Sequence, residues 1–127
     1  MPKVRVLIVD DHDVMRETTR FMVELAADLE VVGEAINGLH ALELCRWLRP
    51  DLVLMDVRMP EMDGLTATRA IKEEMPATSV LVVSAYESED YRREAASAGA
   101  AGYILKDADM DELHGAMREA LGQRGEG

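Results

Sequence analysis

Five short runs rich in Val, Ile and Leu recur along the chain, and each is followed by a stretch with helical spacing. The runs are VRVLIVD (4–10), EVVGEAI (30–36), DLVLM (51–55), SVLVV (79–83) and GYILK (102–106). Their length and β-branched content suit strands. Between them, Ala41, Leu44, Cys45 and Leu48 recur at i, i+3, i+4 and i+7, as do Leu113, Ala116, Met117 and Ala120. Val14, Thr18, Phe21 and Leu25 trace a similar stripe, expected to be the core face of the first helix. Leu65, Thr68, Ile71 and Met75 do the same for the third, while the fourth, 88–98, is Ala-rich with a thin apolar stripe. Alternation of this kind predicts an α/β fold, (βα)₅, with a parallel sheet covered by helices on both faces.

Strand composition predicts the strand order. The first, third and fourth runs are nearly all apolar, as central parallel strands are. The second carries Glu30, Gly33 and Glu34, and the fifth carries Gly102, Tyr103 and Lys106, which suits edges. The expected architecture is therefore a doubly wound, flavodoxin-like sandwich with sheet order 2-1-3-4-5. With 127 residues, one domain is expected over 1–122, with GQRGEG at the end starting a tail or linker over 123–127.

Ligands of open α/β sheets bind outside the carboxyl ends of the strands. Asp10 and Asp11 end the first strand, Asp56 the third, Ser84 the fourth and Lys106 the fifth. Singly, each has a bland reading: a helix cap, a turn residue or a solvated charge. Together, on a fold that gathers those ends, they make a site. Three neighbouring carboxylates repel, and a hard divalent cation such as Mg²⁺ relieves the repulsion. A hydroxyl and an ammonium are poor Mg²⁺ ligands but good donors to a phosphoryl group, which makes Asp56 a candidate nucleophile.

The segments IVDDHDVMR, PDLVLMDVRMPEMDG, VLVVSAY and AGAAGYILKDA resemble the receiver domain of two-component response regulators. The likeness runs from about Val4 to about Leu121. DDH with Arg16, VVGEAINGLHAL and GYILKDA are most similar to receivers that precede a LuxR-type helix-turn-helix, although the first helix departs from that subgroup's apolar pattern. The resemblance implies a signalling domain rather than an enzyme, one that assists its own phosphorylation and dephosphorylation. Asp56 would accept a phosphoryl group from a sensor histidine kinase. Asp11, Asp56 and the backbone carbonyl of Arg58 would hold Mg²⁺, with Asp10 acting through water. Ser84 and Lys106 would bind phosphoryl oxygens, and Tyr103 would be either a switch aromatic or a core tyrosine. Output would be transcriptional, through a DNA-binding segment outside this chain, or by protein contacts of a free-standing receiver. A phosphorylation-dependent homodimer through the fourth helix, fifth strand and last helix is expected, with the first and last helices as the alternative surface. Asp107 follows Lys106 where the family often has Pro, which leaves the isomer of that peptide bond open.

Other features narrow the choice. A net charge of −11 argues against this domain gripping nucleic acid itself. No apolar run approaches a membrane span, and no signal-peptide pattern opens the chain, so a cytoplasmic protein is expected. The single cysteine, Cys45, lies on an apolar stripe and reads as a buried small hydrophobe. His12 is expected to point along the first helical turn or to solvent, and His40 and His114 to lie on the surface. Aspartyl-phosphate phosphatases are a distant alternative, since their second acid is replaced here by Arg58. A flavodoxin-like FMN site would be repelled by DDHD, and an EF-hand lacks its alternating oxygens.

Overall fold

The computed structural model describes residues 2–59 and 61–122. The proposed tail, 123–127, lies outside the described residues. Five strands and five helices alternate: β1 (Val4–Val9), α1 (Asp13–Glu24), β2 (Leu29–Ala35), α2 (Gly38–Leu48), β3 (Leu52–Asp56), α3 (Gly64–Glu74), β4 (Ser79–Ser84), α4 (Glu89–Ala98), β5 (Gly102–Leu105) and α5 (Met110–Gly122). All strand pairs are parallel, in the order β2-β1-β3-β4-β5. The sheet order and the two edges are those expected from composition.

Strand side chains alternate between two cores. Leu7, Val9, Val53, Met55 and Val80 face α2 and α3. Val6, Ile8, Leu52, Leu54 and Leu81 face α1 and α5, where Val23, Leu113 and Met117 meet them. A third, smaller cluster seats α4: Val57, Leu65, Val82 and Ala95 with half-buried Tyr91 and Tyr103. Only Ala95 and Ala98 of α4 are buried, as its thin stripe foretold. Helix starts follow local rules. Asn37, Asp63 and Ser88 each accept a backbone N–H at the N-cap of α2, α3 and α4. Asp109 and Glu112 form a reciprocal capping box at the start of α5.

The stripe on α1 is a correction. Phe21 is 66% and Leu25 53% exposed, Val14 and Thr18 are exposed as well, and the helix faces inward with Thr19 and Val23. Met22 and Ala26 pack alongside them. Two faces of α1 carry helical periodicity, and a polar requirement selects between them. Arg16 lies on the inward side, where its guanidinium donates to the Asp10 carbonyl at 2.8 Å and to Glu34 on β2 at 3.1 Å. Apolar spacing alone does not register that demand. His114 and His40, expected on the surface, are both half-buried: the His114 ring Nε2 sits 2.8 Å from the Met22 carbonyl and joins α5 to α1, and His40 Nδ1 accepts the Ile36 N–H at 3.3 Å.

Truncation separates the two faces of α1. Val23→Ala should cost about 2 kcal/mol in urea unfolding, because it opens a cavity in a filled core. Phe21→Ala should change stability by less than about 0.5 kcal/mol. The reverse order would put the apolar stripe back against the sheet.

Candidate functional site

The site stands at the carboxyl ends of the paired strands β1 and β3, where the chain leaves them towards helices on opposite faces of the sheet. Pairing of Val9 with Met55 brings Asp10 beside Asp56, and pairing of Ser84 with Leu105 brings Lys106 next to them. The backbone reinforces this placement. Asp10 N–H donates to the Ala35 carbonyl at 3.0 Å, and Lys106 N–H to the Ser84 carbonyl at 2.8 Å. Gly64 presses against the Asp56 carbonyl so closely that a Cβ would collide with it, and its N–H donates to Val57. That contact requires glycine and sets the loop from β3 over the site. The Lys106–Asp107 peptide is trans, as are all peptide bonds among the described residues.

Lys106 Nζ lies 3.0 Å from Asp10 Oδ2 and 3.3 Å from Asp56 Oδ2. Asp10 and Asp56 are each only 5% exposed. One ammonium therefore faces two carboxylates in a poorly hydrated place. Burial, then repulsion from Asp10, pushes the Asp56 carboxyl up to about 6, against the pull of Lys106. Burial alone would lower Lys106, but the hydrogen bond to Asp10 and the charge of Asp56 outweigh it and raise its pKa. Asp56 Oδ2 and Asp11 Oδ1 are buried atoms that accept no well-directed hydrogen bond, and the nearest positive or ring-nitrogen partners are Lys106 Nζ at 3.3 Å and His12 Nδ1 at 3.1 Å. Buried oxygens of this kind are costly unless something positive reaches them.

Ser84, fully buried, accepts the Tyr86 N–H on Oγ at 3.0 Å. The Tyr103 hydroxyl donates to the Tyr86 carbonyl at 2.6 Å, so both residues hold the same short segment. Tyr103 thus combines a ring in the α4 cluster with a hydrogen-bonded tip. The Arg92 guanidinium lies 4.6 Å from its ring centre and pairs with Glu87. Arg58 reaches over the Tyr86 ring at 5.5 Å. A cavity of about 560 Å³ opens beside Asp11, lined by Arg58, Asp63, Arg69 and Tyr91 among others, and gives a ligand room to approach.

The structure brings Asp10, Asp11, Asp56 and Lys106 together, with Ser84 at the end of the next strand and Tyr103 one step outward. It also adds residues that the sequence reading missed. His12 folds back, with Nδ1 3.1 Å from Oδ1 of both Asp10 and Asp11. The ring remains 67% exposed, in keeping with the expectation that it would point to solvent, and the contact with the carboxylates is the part not foreseen. The cause is local, since the His12 N–H donates to Asp10 Oδ1 at 2.8 Å and turns the residue over the carboxylates. Tyr86 and Arg92 carry no sequence signal beyond residue type. Cys45 is buried as expected, and burial pushes its thiol up to about 12, which leaves it inert.

A family model described as the response regulator receiver domain matches residues 6–118. The chain belongs to that family. This receiver is 43% identical over 110 residues to the transcriptional regulatory protein YhcZ of Bacillus subtilis, covering 87% of this chain and 51% of that protein. It is 43% identical over 122 residues to the response regulator GacA of Pseudomonas aeruginosa, covering 95% and 57%. Among solved structures, the receiver domain of the response regulator NarL from Mycobacterium tuberculosis superposes with a TM-score of 0.92 at 39% identity, covering 98% of this chain and 100% of that one. The receiver spans about half the length of the curated relatives it matches. Among the described residues, no helix is long and apolar enough to cross a membrane.

The raised Asp56 carboxyl has a sign that can be tested. The folded chain holds that proton up to about pH 6, whereas an unfolded aspartate releases it near 4. Stability is thus greatest below the unfolded value and falls as pH rises through about 6. In EDTA, Asp56→Asn should melt higher than the wild type at pH 7.5, by an amount on the order of 2 kcal/mol. The gap should close towards pH 4. A gap that stays constant with pH would mean that Asp56 is not held in this strained state.

Proposed function

We propose that this receiver is a phosphorylation-dependent switch in which Asp56 accepts a phosphoryl group from a phosphohistidine of a sensor kinase. The observation that carries the reading is Asp56 itself, a strand-end carboxylate that is buried, paired with Lys106 at 3.3 Å and crowded by Asp10 and Asp11. Its carboxyl, pushed up to about 6, is about nine-tenths ionised at neutral pH. An ionised oxygen attacks phosphorus in line, the bond from phosphorus to the imidazole nitrogen breaks, and the departing imidazole keeps the electron pair.

Asp11, Asp56 and the backbone carbonyl of Arg58 would hold Mg²⁺, with Asp10 acting through water. Carboxylate oxygens of Asp10, Asp11 and Asp56 gathered within 4.8 Å of one another suit a hard cation. When bound, the ion offsets the repulsion among the acids and the charge of the phosphoryl oxygens. The chain's own groups do the rest. Lys106 shifts from the Asp56 oxygen to a phosphoryl oxygen, and the Ser84 hydroxyl turns from the Tyr86 N–H to donate to another. That turn frees the segment held by Tyr103, and the change reaches α4 and β5.

Several relatives, YhcZ among them, are named as transcriptional regulatory proteins and are about twice as long, which supports output through a DNA-binding segment. This domain's charge of −11 suits contact with protein rather than with a phosphate backbone. A phosphorylation-dependent dimer through α4, β5 and α5 would carry the signal onward.

Incubation with acetyl phosphate and Mg²⁺, read by intact mass, should add one phosphoryl group to the wild type and none to Asp56→Asn. Undiminished labelling of the variant would overturn the reading. Beryllofluoride with Mg²⁺ should raise the mass measured by light scattering, and charge reversal at Arg92 should prevent the increase. An unchanged mass on activation would remove dimerisation from the mechanism.

A further inference from the structure

One short segment outside the site touches both of its halves. The Ala35 carbonyl, at the end of β2, accepts the Asp10 N–H at 3.0 Å, and three residues later the Gly38 N–H donates to the Met62 carbonyl at 3.0 Å. The Asn37 side chain caps α2 by accepting the His40 N–H at 2.8 Å. The Gly38 N–H, first in the helix, has no partner within it and is spent on the segment between β3 and α3, which carries Arg58. The approach is so close that a Cβ on Gly38 would collide with the Met62 carbonyl, so glycine is required there as it is at Gly64.

The segment that receives this bond is strained. Glu61 lies at a φ of 71°, in the left-handed region that few residues other than Gly, Asn and Asp adopt. Such a conformation persists only where its surroundings over-determine it. Here the Gly64 N–H donates to the Val57 carbonyl at 2.8 Å, and the Asp63 carboxylate accepts the Thr66 N–H at 2.9 Å. The Met59 and Met62 side chains pack against the core beneath α2. Among the described residues, the Gly38 bond is the one backbone hydrogen bond that reaches this segment from another helix or strand, and it comes from the stretch that also holds Asp10.

We propose that Gly38 is a positioning residue for phosphoryl transfer to Asp56. It touches neither cation nor phosphoryl group and acts through the Met62 carbonyl, which sets where the Arg58 carbonyl stands relative to Asp10 and Asp11. The proposal rests on the reading of Asp11, Asp56 and the Arg58 carbonyl as cation ligands, and assigns the spacing of that site to the first residue of α2. Linkage makes the effect reciprocal: if the Gly38 bond favours cation binding, a bound cation strengthens the Gly38 bond.

Amide hydrogen exchange of the wild-type chain, with and without saturating Mg²⁺, tests this with no substitution at all. Mg²⁺ should slow the Gly38 N–H more than the Ala41 N–H, which donates to the Asn37 carbonyl at 3.0 Å in the first turn of the same helix. Equal slowing would mean that the ion stabilises only the fold as a whole, and would overturn the proposal. By calorimetry, Gly38→Ala should weaken Mg²⁺ binding at least about tenfold. Its labelling by acetyl phosphate should need correspondingly more Mg²⁺ yet reach a similar rate at saturation. Gly33→Ala is the matched control, because its Cβ meets only the side-chain ends of Leu48, Leu7 and Leu44. It should lose stability and keep the wild-type affinity. If both glycine variants are folded by circular dichroism and bind Mg²⁺ as the wild type does, the role of Gly38 is structural only and the proposal fails. If Gly38→Ala does not fold, the exchange result decides alone. Asp11→Asn separates the two readings. Loss of Mg²⁺ binding in that variant, with equal slowing of the two wild-type amides, leaves the cation site standing and removes Gly38 from it. Undiminished binding removes the cation reading and this proposal with it.

Discussion

Lys106 reaches from the turn after β5 towards Asp10 at 3.0 Å and Asp56 at 3.3 Å, and one ammonium has to balance two carboxylates that burial has stripped of water. Balance at that point is incomplete, and much of the molecule is arranged around the deficit. The parallel register of β1 with β3 fixes the separation of the two acids. The Ser84 carbonyl fixes the backbone from which Lys106 extends. Arg16 cannot help the Asp10 carboxylate, because its guanidinium is committed to the Asp10 carbonyl, to Glu34 and to Asp13. The remaining negative charge is what the proposed cation and phosphoryl chemistry would draw on. A buried charge left unpaired costs stability, and function is a common reason to retain one.

The fold was largely legible in the sequence because parallel strands buried on both faces leave a compositional mark. Leu52 to Met55 and Val80 to Val82 are buried throughout, while edge strand β2 carries the charges that its position allows. The carboxylates, Ser84 and Lys106 were legible for a related reason, since each follows directly from the end of such a strand. The face of α1 was not. Its outward stripe is the more apolar one, and the choice of the inward face depends on a carbonyl and a carboxylate from β1 and β2 that sequence spacing does not connect to Arg16. The contact of His12 with Asp10 and Asp11 was missed for the same physical reason: the hydrogen bond that turns it back is specific to one loop geometry. Pattern reading recovers what burial dictates, and single polar contacts between elements escape it.

A route from the site to the surface is present as consecutive contacts. Ser84 Oγ accepts the Tyr86 N–H, the Tyr86 carbonyl accepts the Tyr103 hydroxyl, and Arg92 lies on the Tyr103 ring while gripping Glu87. Adjacent contacts alone do not make a switch; a switch needs an element with two arrangements of similar energy. α4 has the required character. It buries only Ala95 and Ala98, and Gly99 ends it at a positive φ that few other residues tolerate. The partners of α1, α2, α3 and α5 are large core side chains, so displacing those helices would open cavities worth several kcal/mol. Moving α4 disturbs two alanines, the half-buried Tyr91 and the exposed ion pairs of Arg92 and Arg93, which are individually weak. Within the proposed cycle, a modest change in the hydrogen bonding of Ser84 is therefore commensurate with the cost of shifting α4 and with nothing else in the fold.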